Sequence, residues 1–152
     1  MKRTDTPAID SARPAITAEL MARTGLDEAM LDRLVRDFYG RVRRDAVLGP
    51  IFDRAVHDWD SHLDRLAAFW SSVALMTGRY HGRPMQKHMP LALEARHFDR
   101  WLELFRATAH EVCPPAGAAH VIAKAEQIAV AIAANIENQR RGNGLGAEPP
   151  RL

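Results

Sequence analysis

The chain has 152 residues, enough for one domain whose core takes well over half of the unfolded chain's surface out of water. With 47% hydrophobic and 26% charged residues it has the balance of a globular domain, which excludes a disordered or fibrous class. A net charge of only +2 with interspersed arginines and acids argues against a nucleic-acid partner, and the single cysteine, Cys113, excludes an intrachain disulfide and suits a reducing, cytoplasmic setting.

Residues 1–21 mix Pro7, Pro14 and charges with few large apolar side chains, which predicts a mobile N-terminal arm with one helical turn near Ala18. Its charged start is not a secretory signal, and no later stretch approaches the roughly 20 unbroken apolar residues of a membrane span, so no membrane partner is expected. Residues 27–43 set Leu31, Val35, Phe38, Tyr39 and Val42 at helical spacing, with Arg33, Arg36, Asp37 and Arg41 on the other face. A turn at Gly49-Pro50 is expected next. Residues 58–76 then repeat the helical pattern through Trp59, His62, Leu66, Phe69 and Val73.

Gly78, Gly82 and Pro84 break the chain into an irregular segment, leaving residues 85–89 for a short helix that Pro90 stops. Residues 95–112 line up Phe98, Trp101, Leu102, Phe105, Thr108 and Val112, and end at Pro114-Pro115. Residues 116–140 carry Ile122, Ala125, Ile128, Ala129, Ile132 and Ile136 at helical spacing, with alanines that favour helix and close packing. Residues 142–152, with three glycines and Pro149-Pro150, read as a disordered tail. The expected architecture is all-α, with a domain over residues 22–141.

Tyr39, His62 and Trp101 each lie on an apolar stripe and carry a polar tip that needs a partner once buried. Any one of them is satisfied by a backbone carbonyl; three on facing stripes point to a shared pocket. His88, in Gln86-Lys87-His88-Met89-Pro90, follows His62 across the glycine-broken hinge. The two imidazoles are placed to face each other across a gap between packed helices, a gap of the kind that a flat macrocycle needs. A neutral imidazole is a strong axial donor to haem iron.

The order Phe38-Tyr39, Leu48-Gly49-Pro50-Ile51-Phe52, Trp59 with His62, Phe69-Trp70, Tyr80-His81-Gly82-Arg83-Pro84, His88, Phe98 and Trp101-Leu102 resembles the group III truncated haemoglobins. The resemblance implies a truncated globin fold, a two-over-two helical sandwich around haem b (iron protoporphyrin IX). It implies His88 as the proximal iron ligand and a distal pocket containing Tyr39, His62 and Trp101. Phe38, Phe52, Phe69, Trp70, Met85 and Phe98 are candidate pocket walls, and Arg83 and Lys87 candidate partners for the haem's acid groups. His62 is open to three roles: a third donor, a gate, or a second iron ligand.

The expected ligands are O2, NO, CO or peroxide, with an electron donor as partner and a monomeric state. Donors such as Tyr39 and Trp101 slow O2 release, so sequestration or redox and NO chemistry is expected rather than transport, with a haem peroxidase or NO dioxygenase as the enzymatic alternative. Two non-haem readings compete: a metal site from His57, Asp58 and His62, and a binding module using Arg33, Arg36, Arg41, Arg43 and Arg44. The first lacks a third ligand in the same place, and the second spreads its charges around the helix instead of along one stripe.

Overall fold

The computed structural model describes residues 8–80 and 93–144. Among them are six helices and no strand: α1 (Ala8–Thr24), α2 (Glu28–Arg44), α3 (Leu48–Ala55), α4 (Trp59–Leu75), α5 (Ala95–Val112) and α6 (Pro115–Gly144). Helix α2 begins where the Asp27 carboxylate accepts the Met30 N–H at 2.8 Å, and α4 where the Asp58 carboxylate accepts the Ser61 N–H at 3.2 Å, each relieving one unpaired donor of a first turn. Met76 ends α4 in the left-handed region at φ 57°, and Gly78 at φ 78° continues the change of direction.

Helices α2 and α4 pack together, as do α5 and α6, and the two pairs meet through α2 on α5 and α4 on α6. This is the two-over-two arrangement that the resemblance implied. At its centre Trp101 stacks on Phe105 (5.7 Å between centroids, 18° between planes), and Trp70 stacks on Phe105 (5.1 Å, 24°). Phe38 drives its edge into both Trp101 and Phe105, at 5.3 and 5.1 Å. Each such ring pair adds about 0.5–1.5 kcal/mol beyond the area it buries, so these contacts fix how α2, α4 and α5 sit together.

Two elements differ from the sequence reading. The segment read as a mobile arm with one helical turn is helical from Ala8 to Thr24, with Pro14 inside it. Leu20 is buried, and the Thr17 hydroxyl donates to the Leu75 carbonyl at 2.6 Å, tying α1 to the end of α4. Tertiary contact with α4 and α6 supplies what a weakly amphipathic sequence lacks.

The Gly49-Pro50 turn is instead the first turn of α3, where a proline's missing N–H costs nothing. Asp45 starts that helix, its carboxylate accepting from Val47 N at 3.0 Å and Leu48 N at 2.9 Å. Gly49 lets α3 leave α2 so closely that a Cβ there would lie 2.5 Å from the Arg43 carbonyl oxygen. At the other end α6 runs on to Gly144, beyond the expected start of the tail, and residues 145–152 lie outside the description.

Candidate functional site

Between α2, α4, α5 and α6 lies a narrow, partly open slot with a cavity volume of about 70 Å³. Tyr39, His62 and Trp101 all line it, as do Phe52, Phe69, Trp70 and Phe98. The stripes on three helices therefore do converge. Phe38 does not reach the slot; fully buried, it stands behind Tyr39 and Trp101 and braces them, with centroids 4.7 and 5.3 Å away. His88, Arg83, Met85 and Lys87 lie outside the described residues.

Tyr39 is only 3% exposed. Phe52, Trp59 and His62 surround its ring with centroids at 6.0, 6.1 and 6.3 Å. Burial pushes the phenol up to about 12, with the Trp101 indole N–H offsetting part of the effect, so the hydroxyl keeps its proton and remains a donor at neutral pH. His62, half-buried, stands edge-on to Trp59 at 5.6 Å. Trp59 is itself held from outside: its indole N–H donates to Asp53 at 3.2 Å and the Arg43 guanidinium lies 4.6 Å over its ring.

Sequence reasoning missed several lining residues. Leu93, Ile128, Ala129 and Ile132 extend the apolar wall. Arg65 brings a cation to the rim, its guanidinium donating to the Ser61 hydroxyl at 2.7 Å. Tyr80 packs edge-on to Phe69 at 5.3 Å, and burial raises its hydroxyl while the Arg65 charge lowers it, which places the two near each other. His97, 5% exposed, also lines the slot. The signal for Arg65 was its position three residues after His62 on the same helix. For His97 it was the one-turn spacing to Trp101. Arg79, close in sequence to the expected acid-group partners, is committed to Glu28.

The two non-haem readings find little support: most of their residues are engaged elsewhere. Asp58 caps α4, and no cluster of three metal-ligating side chains occurs among the described residues. Arg33 pairs with Asp37, Arg36 with Asp32 and Asp64, Arg41 with Glu111, and Arg43 with Asp53 and the Trp59 ring. What remains is an aromatic slot with a few donors at fixed points and a cation at its rim. That donor set fits a flat, largely hydrocarbon macrocycle with an acidic edge, which is the description of haem.

Comparison with known proteins agrees. Residues 20–134 match the bacterial-like globin family. A group 3 truncated haemoglobin of Campylobacter jejuni is 34% identical over 85 residues, spanning 53% of this chain and 67% of that relative. The crystal structure of a group III truncated haemoglobin from Campylobacter jejuni superposes with a TM-score of 0.67 at 29% identity, covering 73% of this chain and 91% of the other.

Proposed function

Since this chain belongs to the bacterial-like globin family, as a group III truncated haemoglobin, and is thereby a haem-binding globin, we propose that its slot is a distal pocket that binds O2 tightly. Slow release suits ligand sequestration or redox and NO chemistry better than oxygen transport. The observation that carries this reading is the convergence of the Tyr39 hydroxyl, the His62 imidazole and the Trp101 indole on one otherwise apolar slot.

Haem b is the form proposed. Phe52, Phe69, Trp70 and Phe98 would line the bound haem and Arg65 would meet an acid group at the rim, with His88 as the residue that would hold its iron. Once bound, haem supplies an iron centre for diatomic ligands and for single-electron chemistry. The chain's own contribution is selective donation. Tyr39, kept protonated by burial, and Trp101 donate to a ligand whose outer atom gains negative charge, each such bond being worth about 1.5–3 kcal/mol. CO gains less charge and less stabilisation, so the same donors favour O2 over CO. His62 stands beside Tyr39 as a further donor or as a ring that turns aside to admit ligand. A cytoplasmic location is part of the proposal, supported by a lone cysteine that is buried at Cys113.

The experiment is O2 release from the ferrous protein, timed after mixing with excess CO. Tyr39→Phe should speed release by about one to two orders of magnitude, the rate equivalent of the lost bond. Unchanged rates in both Tyr39→Phe and Trp101→Phe would remove the donor-rich pocket as the basis of tight binding.

A further inference from the structure

We propose that His97 is a haem-binding residue whose Nε2–H is a neutral donor for a carboxylate of the bound haem, an inference that rests on haem occupying the slot described above. His97 lines that slot at the start of α5 and is 95% buried, the complement of its 5% exposure. Its Nδ1 accepts the Glu94 backbone N–H at 2.8 Å, in the position a capping-box side chain occupies. A ring nitrogen that accepts carries no proton, so in the neutral imidazole the hydrogen is on Nε2. The cap thus decides the tautomer. It makes the second nitrogen a donor and removes the lone pair an iron ligand would need.

That N–H has no hydrogen-bond partner among the described residues. Buried donors are rarely left without an acceptor, so the occupant of the slot is the place to find one. Apart from what sits on the iron axis, the strong acceptors of a haem are its two carboxylates; the rest of its edge is hydrocarbon. Tyr39 and Trp101 mark the ligand position. His97 precedes Trp101 by one helical turn, about 6 Å along α5, and so stands apart from the ligand position that Tyr39 and Trp101 mark. A donor within an apolar wall does more there than the exposed Arg65 can, because water does not compete with it.

Two substitutions separate the cap from the donor. Asn places an acceptor near the Nδ1 position and so keeps the cap without the slot donor; Gln reaches the Nε2 position with an N–H and keeps the donor without the cap. Transfer of haem from the holoprotein to excess apomyoglobin is followed in the Soret region, with native haem and with its dimethyl ester, beside far-UV circular dichroism of each holoprotein. His97→Asn should lose native haem about tenfold or more faster than the unsubstituted chain, at unchanged helicity, and should match it with the ester. His97→Gln should stay within about threefold of the unsubstituted chain.

Should His97→Asn prove too unstable to isolate, the unsubstituted chain and His97→Gln must both lose the ester faster than native haem. Equal rates there overturn the proposal. So does a His97→Asn protein that retains native haem normally, or one that loses ester and native haem with the same acceleration. A Soret band in the unsubstituted chain with any of those results sinks His97 alone. Its absence sinks haem occupancy of the slot, and the inference with it.

Discussion

Tyr39 on α2 and His62 on α4 meet edge to face, with ring centroids 6.3 Å apart and planes at 82°. The contact helps to seal the phenol from water, and its cost appears at alkaline pH. Below pH 10 the phenol is protonated in folded and unfolded chains alike. Between pH 10 and about 12 the unfolded chain releases its proton and the folded chain does not, so folding stability falls across that window, by roughly 2 to 3 kcal/mol at its upper end. Denaturant titrations of the native chain and Tyr39→Phe should diverge above pH 10, with the variant falling less. Parallel curves would mean that Tyr39 ionises as an ordinary phenol.

Asp45 joins α3 to α5. Burial pushes its carboxyl up, but bonds from Leu48 N, Arg100 and Val47 N outweigh that and hold it below the usual carboxylate range. Asp45→Ala should destabilise the protein by about 1–2 kcal/mol at neutral pH, the usual cost of losing a helix cap. In the unsubstituted chain the Asp45 contribution is present above pH 4 and is lost as pH falls through the depressed pKa. The difference between the two chains, read from urea midpoints, should therefore shrink in acid.

Gly49 is a test of the close exit of α3 from α2. A methyl group there would stand 2.5 Å from the Arg43 carbonyl oxygen, a backbone atom that has no rotamer by which to move away. Gly49→Ala should cost about 1–3 kcal/mol, the range for overpacking, despite the better helix propensity of alanine. A thermal midpoint equal to or above that of the native chain would contradict the packing described.

Trp70 is buried against Phe105 (5.1 Å, 24°), edge-on to Phe69 (5.8 Å, 83°), and also lines the slot. Trp70→Ala should lower stability by about 3–5 kcal/mol through the cavity it leaves. Because the same ring is a pocket wall, it should also hasten haem loss, measured by transfer to apomyoglobin. A loss of stability without faster haem loss would place Trp70 in the core alone.

The helices α2, α4 and α5 were legible in the sequence because each carries an apolar stripe, and α6 because its isoleucines and alanines recur at helical spacing over a long run; periodicity needs no knowledge of the partner element. Tyr39, His62 and Trp101 were legible for the same reason, as polar tips on those stripes. Helix α1 was not: Pro14 and its sparse large side chains hide a helix whose stability comes from Leu20 and Thr17 meeting other elements. Helix α3 was hidden by Gly49-Pro50, a pair that makes a turn in most settings and a helical first turn here because Asp45 caps it.

By itself, then, the sequence determined which residues turn inward, since the 3.6-residue repeat is a local property. Only the tertiary structure decided what they meet. It placed Phe38 behind the wall and not in it, committed Arg79 to Glu28 and left Arg65 at the rim. It also turned His97 from one more residue of a helix's first turn into a buried donor on the slot, because which nitrogen of an imidazole faces a cavity depends on what holds the other.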